Sequence, residues 1–138
     1  MPQTKYNTNL AAEFFVLSML HRLGVNCQLT IGNKKAVDIV IESNRGKLIT
    51  VDVKGLAGTT IWPLDNFATK KPSHFLVFVC FLGKIDQYDI LPEVYVLRST
   101  SVDRYLYRNP GGTRKGIQLS TLRRDGKKYL NNWRPLQR

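Results

Sequence analysis

Ala36-Val37-Asp38-Ile39-Val40-Ile41-Glu42, Ser43-Asn44-Arg45-Gly46-Lys47 and Leu48-Ile49-Thr50-Val51-Asp52-Val53-Lys54 follow one another, and their reading decides the fold. Two β-rich apolar runs flank a polar turn with Asn and Gly, which predicts a hairpin with strands over about 36–42 and 47–54. Side chains alternate faces along a strand, so register decides which groups meet. If paired positions sum to 90, Val37, Ile39 and Ile41 face Val53, Val51 and Ile49, and one face is wholly apolar. The other face sets Asp38 opposite Asp52, with Lys54 one pleat further on. A slip of one residue would turn an apolar set to the wrong side, so burial favours the register that brings the acids together. Like charges opposed across a ladder are destabilising, and a pair placed so asks for a cation.

Upstream, Asn9 is a plausible N-cap for a helix over Leu10–Leu23, ended by Gly24. That helix is apolar almost all round and is expected to be largely buried. Glu13 falls between Leu17 and Leu20 on its surface, where a carboxylate is costly unless paired. Val25–Ile31 reads as a first strand. Phe75–Leu82 is a continuous apolar run suited to a central strand buried on both faces. Gly55–Lys71 carries breakers and no clear element, and Glu93–Leu97 is a further strand. Val102–Tyr107 suggests a helical turn or two. Asn109–Gly116 reads as a basic loop, Ile117–Leu119 as a short edge strand, and Ser120–Trp133 as mostly helical with a bend at Gly126. No repeat or boundary divides the 138 residues, which suit one domain. The expected class is α/β or α+β, a mixed central sheet flanked by helices.

The formal net charge is +11, and its distribution is uneven. Residues 104–138 hold ten of the 21 basic residues and one acid, Asp125, whereas the first 103 residues hold 11 basic and nine acidic. A basic end of this kind, interleaved with Tyr105, Tyr107, Tyr129 and Trp133, points to a polyanionic partner, nucleic acid first. Arg108, Arg114, Lys115, Arg123, Arg124, Lys127 and Lys128 are the candidate phosphate contacts. Two cysteines (Cys27, Cys80) and two histidines (His21, His74) have no zinc spacing. Cys80 reads as a buried free thiol, His21 as a helix-surface residue, and Trp62 and Trp133 as core. No apolar stretch is long enough for a bilayer span and the start lacks a signal-peptide layout, so a cytoplasmic protein away from membranes is expected.

Phosphodiester hydrolysis needs an activated water and relief of negative charge, and a divalent ion supplies both. Mg²⁺ takes oxygen ligands, which makes Asp38 and Asp52 the candidate metal carboxylates. Mn²⁺ is the natural substitute. Lys54 is placed to orient the water or support the phosphate, and Glu13 to assist with a water or second ion. Singly, each residue has an ordinary reading: a solvated strand edge for Asp52 and Lys54, a turn-capping acid for Asp38, a lysine-paired surface acid for Glu13.

Together, a helix Glu13, then Asp38, then Asp52-Val53-Lys54 resemble the PD-(D/E)XK nuclease superfamily, with its restriction-endonuclease-like αβββ(α)β core. The likeness spans about Leu10–Gly55, extends through the strand ending at Leu82, and is greatest to small Holliday-junction-resolvase-type and restriction-type members. Val37 stands where the family has Pro, Asp52 where Glu is commoner, and Gly55–Lys71 is short for the helix that usually crosses to the next strand. The resemblance implies a Mg²⁺-dependent endonuclease acting on DNA, with Glu13, Asp38, Asp52 and Lys54 catalytic. It implies the Val53 carbonyl as a third metal ligand beside Asp38 and Asp52. Cutting both strands favours a homodimer. A non-cutting nucleic-acid-binding module on the same fold is the alternative, and a factor that docks on an acidic protein is a third.

Overall fold

The computed structural model describes residues 4–30, 38–65, 67, 69–112 and 114–137. Helix α1 spans Lys5–Arg22 and starts a turn earlier than the Asn9 cap predicts. Thr4 is the cap: its side chain accepts from the Asn7 N–H at 3.1 Å. Gly24, at φ 77°, closes the far end as an αL residue should. Burial follows one stripe, Thr8, Ala12, Val16 and Leu20, while Phe14 is 54% exposed. The helix therefore packs along a single i, i+4 line and is not buried all round.

Strands β1 (Cys27–Leu29), β2 (Ile39–Glu42), β3 (Leu48–Leu56), β5 (His74–Cys80) and β6 (Glu93–Arg98) form a mixed sheet in the order β1-β2-β3-β5-β6. The β3–β5 pair is parallel and the others are antiparallel. All seven residues of β5 are buried, as a strand covered on both faces requires. The α+β class and mixed central sheet are those expected.

Two cores lie on the two faces of this sheet. One gathers Ala12, Val16 and Leu20 of α1 with Ile39, Ile41, Val51, Val53, Val77, Val79, Val94 and Val96. The other gathers Leu76, Phe78, Tyr95 and Leu97 with Trp62, Ile117, Leu119 and Leu122. Gly55 permits the close approach of α1 to β3, since a Cβ there would lie 2.9 Å from the Thr8 carbonyl oxygen.

The second core sits under a small sheet that the sequence reading does not anticipate. Its order is β4-β8-β7, with β4 at Ile61–Pro63, β7 at Leu106–Arg108 and β8 at Lys115–Gln118. The connection between β3 and β5 holds β4, and no helix occurs among its described residues. Residues 115–118 are the middle strand of a sheet, not an edge strand over Ile117–Leu119. Before β7 comes a 3₁₀ segment, Ser99–Tyr105. Helix α2 is short, Leu119–Asp125, and ends at Gly126, after which only 3₁₀ turns follow. The chain then passes the β6 edge, where the Asn131 N–H bonds the Val94 carbonyl at 2.8 Å, and returns Trp133 and Leu136 to the first core. Among the described residues no helix is long and apolar enough to cross a membrane.

Candidate active site

The hairpin register is the expected one, with Ile39, Val40 and Ile41 opposite Val51, Thr50 and Ile49. The Val37–Val53 pairing lies outside the described residues. Val51 and Val53 enter the core beneath α1, so alternation turns Thr50, Asp52 and Lys54 to the other face. The second core draws no buried residue from β1, β2 or β3, and this part of the face has no described apolar layer over it.

Asp38 stands one residue before β2. Its N–H bonds the Val51 carbonyl at 2.9 Å, and its carboxylate accepts from the Val53 N–H at 2.7 Å. It thus reaches across the hairpin from just outside the ladder instead of occupying a plain ladder pair with Asp52. The two acids are still neighbours, since Asp52 is close enough to raise the Asp38 carboxyl. Lys54 Nζ lies 3.3 Å from Asp52 Oδ2, with the lysine side chain 32% exposed and the aspartate 17%.

Burial pushes the Asp38 carboxyl up to about 7, and Asp52 adds to the rise, while the Val53 N–H and Lys54 oppose it. Asp38 therefore keeps its proton into the neutral range, as expected for a buried carboxyl beside a second acid.

Glu13 is half-buried on α1, which covers the face opposite to Asp52 and Lys54. Among the described residues no group of three or more His, Cys, Asp or Glu side chains gathers as a metal cluster. The structure thus joins Asp38, Asp52 and Lys54.

Thr50 and His74 join the neighbourhood without having been expected there. They are partners across β3 and β5, and Thr50 Oγ1 lies 2.7 Å from His74 Nδ1. His74 is buried. Burial, then Lys71 and Lys54, holds its imidazole below the ordinary range, and Asp38 pulls the other way. The available signal was Thr50, two residues before Asp52 and so on its face. The parallel pairing that brings His74 alongside has no local signature.

The basic residues divide into two groups. Arg123 clamps Glu93 through two bonds of 2.8 and 3.0 Å, and Glu93 also accepts from the Tyr95 hydroxyl at 2.5 Å. Arg114 pairs with Asp65 at 2.8 Å and Arg124 with Asp125 at 2.9 Å. Arg108, Lys127 and Lys128 are exposed and Lys115 is half-buried, with no ion pair among the described residues. Trp62, Tyr129 and Trp133 are core residues. Cys27 and Cys80 are buried free thiols.

No family model matches the chain, and no curated protein matches it. Among solved structures it is similar to that of a bacterial homing endonuclease, I-Ssp6803I, with a TM-score of 0.55 and 15% identity. The match covers 95% of this chain and 90% of that one. The two share a fold, which in this chain is a mixed sheet flanked by helices.

Proposed function

We propose that the protein is a divalent-metal-dependent DNA endonuclease with its site at Asp38, Asp52 and Lys54, on the PD-(D/E)XK plan. The observation that carries this reading is the meeting of two carboxylates and a lysine on the open face of the hairpin, in a fold shared with a homing endonuclease.

The donor set fits a hard cation. The buried Asp38 carboxyl, raised to about 7 beside Asp52, carries a proton where a divalent ion would place its charge. Asp38, Asp52 and the Val53 carbonyl would hold Mg²⁺ or Mn²⁺. A strand residue turns its carbonyl to the side of its own N–H, and the Val53 N–H is the one that Asp38 takes. The ion would supply Lewis acidity toward phosphate and water. Lys54, exposed enough to meet a substrate, compensates phosphate charge and orients the attacking water. Glu13 is the supporting acid that the family resemblance adds. The exposed Arg108, Lys127 and Lys128 contribute sequence-independent phosphate contacts, so binding weakens steeply with salt. Cleavage of both strands calls for a pair of copies.

Incubation with plasmid and Mg²⁺ or Mn²⁺ tests the reading. The parent nicks or linearises the DNA, and Asp38→Ala, Asp52→Ala and Lys54→Ala do not, while salt-sensitive binding persists. Three variants that cut like the parent would refute the site. A folded parent that binds DNA and never cuts favours the non-cutting module.

A further inference from the structure

The outer face of the small sheet has no role in the chemistry above. Its inner face enters the second core through Trp62 and Ile117, with Leu106 against them. Alternation therefore turns Ile61, Pro63 and Tyr107 outward, and none of these three belongs to either core. One row across the three strands is Pro63, Gly116 and Tyr107. Gly116 leaves that row without a central side chain, and a Cβ there would lie 2.4 Å from the Trp62 carbonyl oxygen. A depression of about 260 Å³ opens on the sheet, lined by Ile61, Pro63, Tyr107, Asn109, Arg114 and Lys115.

From its rim the β7–β8 ribbon carries a turn. The Asn109 N–H bonds the Arg114 carbonyl at 3.1 Å, the Gly112 N–H bonds the Asn109 carbonyl at 2.7 Å, and Gly112 has φ 71°. Tyr107, Arg108, Asn109 and Arg114 are exposed on the ribbon. Asp65 grips the Arg114 guanidinium and fixes its direction.

We propose that this ribbon enters the major groove of B-form DNA and reads base edges, with Asn109 and Tyr107 as the reading side chains. The inference rests on the nuclease reading for its substrate class. Strands lie about 4.8 Å apart, so a two-stranded ribbon fits a groove about 12 Å wide. Phosphates gain little from an apolar depression, whereas a groove presents thymine methyls beside amide-like donors and acceptors, which suit Ile61 and Pro63 beside Asn109 and Tyr107. The major groove of A-form RNA is too deep and narrow to admit the ribbon. Duplex DNA is the form selected.

The test is selection of a randomised duplex DNA library by the whole protein in EDTA, so that the readout is independent of cutting. The parent enriches a sequence motif. Asn109→Ala and Tyr107→Phe each relax preference at one or two base pairs, by about 5- to 100-fold for Asn109→Ala. A duplex RNA of the enriched sequence competes poorly. Uniform weakening of all sequences with the motif intact, or equal competition by the RNA, overturns the proposal. Metal-dependent plasmid cutting by a parent that enriches no motif overturns it and leaves the nuclease reading standing. Motif enrichment without cutting supports it and refutes the nuclease reading.

Discussion

The raised carboxyl of Asp38 would make the proposed metal binding at this site a function of pH. Asp38 rises from an ordinary 3.8 to about 7 in the folded protein. Between those values the native state holds a proton that the unfolded chain has lost, so stability falls as pH rises through the window and levels off above it. At about 1.4 kcal/mol per pH unit the ceiling is about 4 kcal/mol. Partial solvent access reduces it to about 1–2 kcal/mol. A divalent ion must displace that proton. Its apparent affinity is therefore about tenfold weaker at about pH 6 than at about pH 8, a difference of about 1.4 kcal/mol. In a domain of this size that is about 3–5 °C in melting temperature. Melts in EDTA and in millimolar Mg²⁺ at the two pH values measure it, and the ion-induced gain is larger at the higher pH. Burial holds His74 below its ordinary range, which works against a positive charge there. In Asp38→Asn the acid slope of the metal-free protein flattens and the ion-induced gain disappears at both pH values. An ion effect equal at both pH values, or one that survives Asp38→Asn, would refute the proton-linked site.

Three further perturbations test the frame around it. Gly55→Ala forces a methyl to 2.9 Å from the Thr8 carbonyl oxygen and 3.0 Å from the Ala12 Cβ, and urea unfolding should show a loss of about 1–3 kcal/mol. Trp62→Phe deletes the indole N–H that donates to the Val79 carbonyl at 3.1 Å, and the same assay should show a loss of about 1 kcal/mol for that bond. Glu93 is held below its ordinary 4.5, first by Arg123. Its contribution is present above that ordinary value and lost as pH falls through the lower folded one. Glu93→Gln should cost about 1 kcal/mol at neutral pH and blunt the acid limb of a pH–stability curve.

The hairpin was legible because each of its strands has one apolar face, and only one register buries both. The central strand was legible because seven consecutive residues from His74 to Cys80 have no exposed side. The start of α1 was harder: Thr4 and Asn9 are both competent caps, and the choice rests on Thr8 packing against Gly55, a contact nearly fifty residues away in sequence. The small sheet left little trace because β4 has three residues, one of them Pro63, and its partner β8 lies far along the chain. Charge counting within residues 104–138 overstated the cations at liberty there, since Asp65 and Glu93 reach Arg114 and Arg123 from outside the segment. Asp38 and Asp52 came together as their spacing required, and the histidine beside them was hidden in a parallel pairing.

Because β4 leaves the sequence between two strands of the main sheet and finds its partner only in β8, the basic end of the chain is also the roof of the second core. Leu76, Phe78 and Leu97 would be left bare until residue 118 and the helix after it are in place. A protein trimmed to lose its positive charge would lose its tertiary structure with it. Nascent chains on the ribosome face the same dependence, as this side of the central sheet stays uncovered until residues 115–122 have emerged. Retargeting such a molecule is accordingly a matter of exchanging outward-facing side chains one at a time, with the strands that carry them left where they are.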